Sequence, residues 1–240
     1  VTRSDGRAPD ELRPVAYELG FQRWAAGSVL FSMGDTRVLC AATVTEEAPR
    51  WLRGSGRGWV TGEYSMLPAS TLERTPREVA RGRPAGRTQE IQRLIGRALR
   101  SVVDLDRLGE RTITIDCDVL QADGGTRCAS ITGGYLALAL ALRRLAAEGL
   151  APDDLLLGSV AAVSVGVLDG DCVLDLTYEE DAAASVDCNV VMTGEGAFVE
   201  VQGTAEGRPF DRATLEVLLE LGARGVAALS AVQERALAEG

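Results

Sequence analysis

The chain has 240 residues, 46% of them hydrophobic, and a formal net charge of −10. That is long and apolar enough to bury a large core and too apolar for a disordered segment. There is no histidine, and the five cysteines never fall in a C-x-x-C spacing, so a Ser–His–Asp triad, a Cys–His pair and a zinc-ligand pattern are all missing. Catalysis is left to carboxylates, arginines, backbone dipoles or a metal held by oxygen.

The charged start, VTRSDGRAPDELRP, has no signal-type apolar region, and no stretch approaches the roughly 18 apolar residues of a membrane span. These features predict a cytoplasmic protein with no membrane partner. Next, RPVAYELGF and GSVLFSMGDTRVLCAATVTEE read as strands, punctuated by Gly27 and a turn at Met33–Gly34–Asp35. GWVTGEYSMLP is a further extended run, and residues 69–86 predict a long loop of Thr, Arg, Pro and Gly. From Thr88, the apolar residues Ile91, Leu94, Ile95, Ala98, Leu99 and Val102 fall at helical spacing, with Arg93, Arg97 and Arg100 on another face.

RTITIDCDVLQ then alternates with period two, and the loop Asp123–Arg127 opens a nearly all-apolar helix to about Ala147. Pro152 begins a second half, in which GSVAAVSVGVL, DCVLDLTY, ASVDCNVVMTG and GAFVEVQGT read as strands. Residues 211–237 predict a terminal helix with Asp211 as N-cap. The order predicts one α+β domain over residues 1–240, its halves being 1–150 and 151–240.

Charge is unevenly placed. Residues 50–100 hold eleven arginines and four acids, so this segment is +7 and the remainder −17. Every basic residue is arginine, whose planar fork matches phosphate geometry. A basic segment on an acidic body predicts a local polyanion site. Its arginines, Arg53, Arg57, Arg74, Arg77, Arg93 and Arg97 among them, are candidates to track a nucleic-acid backbone.

Three clusters carry chemistry. The first is the strand-to-helix junction from Gly124 to Ser130, where N–H groups of Gly125 to Arg127, the Thr126 hydroxyl and the Arg127 fork can hold a phosphate dianion, with Ser130 a further candidate. A tight turn capping a core helix reads equally well from this stretch alone. No Walker loop is present. The second is Gly86–Arg87–Thr88, a helix start whose arginine can close on the same anion. The third is YEEDAAASVDCN, where Asp181 and Asp187 form a carboxylate pair suited to Mg²⁺ near phosphate.

Together these stretches resemble the ribonuclease PH family. The matching blocks are SDGRAPDELRP, GSVLFSMGDTRVLC, GWVTGEYSMLP, GRTQEIQRLIGRALRSVVDL, GERTITIDCDVLQADGGTRCASITG and LDLTYEEDAAASVDCNVVMTG, in order from about residue 3 to the terminal helix. The resemblance implies a ribosomal-protein-S5-domain-2-like fold and phosphate-dependent 3′-to-5′ trimming of transfer-RNA precursors. It also implies a homohexamer built as a trimer of dimers. Arg87, Gly125, Thr126 and Arg127 match the family's phosphate site, and Asp181 and Asp187 match its metal-assisting aspartates. The loop with Arg74 and Arg77 corresponds to its RNA-contacting loop. Whether an aspartate holds Mg²⁺ or protonates the leaving oxygen stays open at this level. A silent subunit and a metal-dependent hydrolase are the competing readings.

Overall fold

The computed structural model describes residues 3–82 and 85–240, and Arg83 of the basic segment lies outside them. Strands β1 (Val15–Leu19), β2 (Gly27–Met33), β3 (Thr36–Thr45), β4 (Trp59–Met66) and β5 (Thr112–Gln121) form one sheet in the order β1-β2-β3-β5-β4. All neighbours are antiparallel except β4 and β5, which run parallel because helix α1 (Gly86–Arg100) and the short α2 (Leu105–Leu108) carry the chain back between them. The alternation of β5 is realised residue by residue: Ile113, Ile115, Cys117 and Val119 are buried, and Thr114, Asp116 and Asp118 are half-exposed.

Helix α3 (Thr126–Ala147) follows β5 and packs against β2, β3 and β5 on one side and β6 (Val160–Leu168) on the other. This explains why its sequence is apolar all round instead of striped. The second sheet, β7 (Asp171–Leu174), β6, β8 (Val186–Thr193) and β9 (Phe198–Ala205), has the order β7-β6-β8-β9 and is antiparallel throughout. Helix α5 (Arg212–Glu239) crosses β6, β7 and β8, with Asp211 accepting a hydrogen bond from the Thr214 N–H as its cap. Both α3 and α5 press on β6, and every residue of β6 is buried. One apolar cluster runs from Val29 to Ala236 and includes residues of both halves. No helix among the described residues is long and apolar enough to cross a membrane.

Two expectations are corrected. DCVLDLTY is not one strand: β7 ends at Leu174, Asp175 turns the chain at φ +54°, and α4 (Tyr178–Ala183) begins three residues later. A capping box explains the switch, since the Thr177 hydroxyl accepts from the Glu180 N–H while the Glu180 carboxylate accepts from the Thr177 N–H. Residues 69–86 are also not wholly loop. A 3₁₀ turn occupies Glu78–Arg81, and α1 starts at Gly86, two residues before Thr88.

Candidate active site

The site forms where β4 and β5 end and α3 begins. Gly124 and Gly125 both sit at positive φ, +72° and +64°. A Cβ on Gly124 would stand 2.6 Å from the Leu176 carbonyl oxygen, and one on Gly125 would stand 3.0 Å from Arg13 Nη2. Only glycine makes this turn while the loop lies flat on the 175–178 segment. Gly125 is the N-cap of α3 and provides no side-chain cap, so the first-turn N–H groups face the loop uncapped at that position.

Buried charges hold this loop. The Arg13 backbone N–H donates to Asp175 Oδ2 at 2.8 Å, and its guanidinium donates to both Asp175 oxygens at 3.0 and 2.7 Å. Arg13 Nη1 also donates to the Asp123 carbonyl. The Thr36 hydroxyl donates to the Gly124 carbonyl at 2.7 Å and accepts from the Asp123 N–H at 2.9 Å. A second buried pair steadies α4: Arg3 donates to both Glu180 oxygens at 2.7 Å, and to the carbonyls of Leu174 and Asp175. Burial alone would raise the Glu180 carboxyl, but the Arg3 and Thr177 hydrogen bonds outweigh it and lower it below the ordinary range. Arg3, Arg13, Thr36, Asp175 and Glu180 were not singled out from sequence. The Thr177–Glu180 capping box is a local spacing, but the ion-pair partners lie far along the chain, so no local spacing marks those pairs.

The chemistry-bearing side chains converge here. The Thr126 and Tyr64 hydroxyls share a hydrogen bond of 2.8 Å, so β4 contributes directly to the loop. Burial pushes the Tyr64 phenol up, while the Thr126 bond and the charges of Arg87 and Arg127 pull against it. The Asp187 carboxyl is likewise pushed up, first by burial and then by the negative charge of Asp181, against the pull of Arg127 and Arg87. Asp187 therefore feels Asp181, Arg127 and Arg87 together. Sequence placed these four residues in three separate segments; the fold brings them into one electrostatic neighbourhood.

Two candidates change standing. Ser130 has no exposed surface, and its hydroxyl is buried without a hydrogen-bond partner one turn inside α3. An anion at the helix mouth cannot reach it, which removes Ser130 from the phosphate set. The N-terminus of α1 is already served by Glu78, whose carboxylate accepts from the Ala85 N–H at 3.1 Å and the Thr88 hydroxyl at 2.7 Å. The Glu78 carboxylate works against an anion at the backbone of this helix start, while the Arg87 side chain is exposed beside it.

The basic segment also divides. Arg93 and Arg97 line a cleft of about 290 Å³ between α1 and β9, with Gly86, Glu90, Glu200 and Gln202 on its walls. Arg74 and Arg77 are exposed on the loop after β4, at the same end of the sheet as Thr126. Arg53 and Arg57 lie at the opposite end of β4, about 23 Å away at strand rise. They are paired there with Glu47 at 2.6 Å and Asp106 at 3.0 Å. Within one chain these two do not share the RNA path expected of them.

Among the described residues no group of three or more Asp, Glu, His or Cys is gathered to hold a metal by itself. Two carboxylates beside an anion loop nonetheless fit Mg²⁺, which takes one or two protein carboxylates and completes its shell with phosphate and water.

Comparison with known proteins gives the family. The model of the 3′ exoribonuclease family, domain 1, matches residues 11–143, and that of domain 2 matches residues 158–225. The chain is 58% identical over 239 residues to Ribonuclease PH of Moorella thermoacetica, covering 100% of this chain and 96% of that protein. It is 60% identical over 237 residues to Ribonuclease PH of Frankia casuarinae, covering 99% and 94%. Among solved structures, rice (Oryza sativa) Rrp46 superposes with a TM-score of 0.79 at 20% identity, covering 98% of this chain and 100% of that one. A chain of the Archaeoglobus fulgidus exosome with RNA bound to the active site gives 0.76 at 22% identity, covering 95% and 91%. These likenesses establish the α+β fold of the S5-domain-2 type. By sequence, the chain belongs to the 3′ exoribonuclease family, in its ribonuclease PH branch.

Proposed function

We propose that the Gly125–Arg127 turn, with Arg87, holds inorganic phosphate as the nucleophile of the reaction that marks this branch: phosphorolytic 3′-to-5′ trimming of transfer-RNA precursors. A phosphate oxygen attacks the phosphorus of the last phosphodiester. The bond to the preceding 3′ oxygen breaks, that oxygen takes a proton, and a nucleoside 5′-diphosphate leaves. RNA one residue shorter remains; the reverse reaction adds a nucleotide.

Such a transfer needs positioning and charge neutralisation more than covalent catalysis, which suits a site without histidine. Phosphate lies against the N–H groups of the first turn of α3, the Thr126 hydroxyl and the guanidinia of Arg127 and Arg87. Tyr64 fixes the Thr126 rotamer. Asp181 and Asp187 would hold Mg²⁺, which supplies positive charge to the phosphoryl oxygens when bound. The observation that carries this reading is the double-glycine turn at positive φ, which presents the first turn of α3 with no side-chain cap and with Thr126 and Arg127 at its mouth. Delivery of a proton to the leaving 3′ oxygen by one of these aspartates is the second role left open by the sequence.

RNA approaches over Arg74, Arg77, Arg93 and Arg97, held through its backbone with little sequence preference. The assembly proposed is a cytoplasmic homohexamer, a trimer of dimers, which gathers the basic segments of several acidic chains around one surface. Edge strand β9, with Phe198 and Val201 exposed, is open to such contact in the single chain.

The test is product analysis. A short RNA with a single-stranded 3′ end is incubated with Mg²⁺, with and without phosphate. Nucleoside diphosphates that appear only with phosphate, and vanish in Arg127→Ala and Asp187→Ala, are the expected result. Monophosphates formed without phosphate would make the site hydrolytic. Binding of RNA without cleavage would make the chain a silent subunit.

A further inference from the structure

Arg127 is held from the second sheet. Gln202 on β9 accepts from Arg127 Nη1 at 3.0 Å through its side-chain carbonyl. Its amide nitrogen donates to Glu200 at 2.9 Å and to Glu90 of α1 at 3.2 Å. Glu200 in turn pairs with Arg97. Directly across the β8–β9 ladder from Gln202 stands Asn189, whose side-chain oxygen accepts from the Cys128 thiol at 3.3 Å. Two facing amides thus grip consecutive residues of the first turn of α3. Asp187 lies two residues from Asn189 on the same face of β8, so the ladder register sets Arg127 against Asp187.

A rival lies close by. The Glu90 carboxylate is 3.8 Å from the same Arg127 nitrogen, and Gln202 engages that carboxylate with its own amide. The two already form a loose ion pair with the Gln202 amide between them; without that amide they are free to close from 3.8 Å to hydrogen-bonding contact, an internal anion in competition with phosphate.

We infer that Gln202 is a positioning residue for phosphate, orienting the Arg127 guanidinium and keeping Glu90 from it. This rests on the assignment of Arg127 to phosphate. Gln202 lines the cleft with Arg93 and Arg97, but toward phosphate it acts through Arg127.

Gln202→Met keeps the length and volume of the side chain and removes both polar ends. With RNA saturating, its KM for phosphate should rise about tenfold, as expected for loss of a hydrogen bond to a charged group. Its KM for RNA should rise less than its KM for phosphate. Glu90→Gln added to Gln202→Met should bring the phosphate KM back to within about threefold of wild type. An independent reading is the rise in thermal midpoint caused by inorganic phosphate alone, which should be present in wild type and smaller in Gln202→Met. An unchanged phosphate KM, an unchanged phosphate-induced shift, or equal rises in both KM values with no rescue by Glu90→Gln would each overturn the inference. A wild type whose midpoint rises with phosphate but which releases no diphosphates would instead overturn the proposed reaction. The melts would then still judge Gln202.

Discussion

Two loops leave the ends of the neighbouring parallel strands β4 and β5, and they are built in opposite ways. The loop after β5, Ala122–Gly125, is bonded to four other segments: Arg13 from the N-terminal stretch, itself held by the buried Asp175, Thr36 from β3, Ser70 from the other loop and Tyr178 from α4. The loop after β4 is tied to that structure at its base, by Leu67 to Val119 and Ser70 to Ala122, and residues 72–77 are then exposed. In the proposed reaction one loop presents a few N–H groups and a guanidinium at fixed positions to a small dianion. The other needs only to bring positive charge near a chain of phosphates. Preorganisation is worth its buried charges only where geometry decides the rate.

The largest effect on this contrast should come from Arg13→Ala. It leaves the Asp175 carboxylate buried and uncompensated, and loss of one partner of such a pair costs about 3–5 kcal/mol. Chemical denaturation should show that loss in unfolding free energy, and an unchanged midpoint would mean that the loop is not held as described. Arg127→Ala comes next. Phosphorolysis should fall about 10²–10³-fold, about 2.7–4 kcal/mol of transition-state stabilisation, with the unfolding transition kept.

Asp187→Asn separates stability from activity. Burial and Asp181 raise the carboxyl in the fold, so its proton is held more tightly folded than unfolded. That favours the fold at acidic pH and costs stability as pH rises through the unfolded and then the folded value. In chelator at neutral pH the variant should therefore be more stable than wild type, although with Mg²⁺ it loses activity, and its stability advantage should shrink as pH falls through the carboxylate range. A variant less stable at neutral pH would contradict the assigned field.

The smallest effects belong to the exposed loop. Arg74→Ala and Arg77→Ala should each reduce the salt slope of single-stranded RNA binding by about 0.7, with no change in fold stability. Arg53→Ala, paired with Glu47 at the far end of β4, should alter RNA binding by less than about 1 kcal/mol. A slope change for Arg53 as large as that for Arg74 would mean that a second chain brings the two ends of the sheet together.

Local pattern determined much of this protein. Period-two alternation marked β5, helical spacing marked the buried face of α1, and the paired glycines at 124 and 125 marked a turn that few other residues can make. These signals are legible because each depends on neighbours within about one turn or one strand pleat. The absence of histidine likewise limited the chemistry before any fold was known. The family motifs named the clamp residues and the aspartates, but from three segments with no stated relation.

Only the tertiary structure decided which of those segments meet. Ser130 shares a motif with Thr126 and Arg127, yet the packing of α3 between two sheets buries it. Arg53 shares a basic segment with Arg74, yet β4 runs between them and sends them to opposite ends. Asp175 and Gln202 carry no local signal, because their roles arise from Arg13 and Arg127 at 162 and 75 residues' separation. A side chain's nearest neighbours along the chain are set by sequence. Its electrostatic and hydrogen-bond partners are set by which surfaces the core forces into contact.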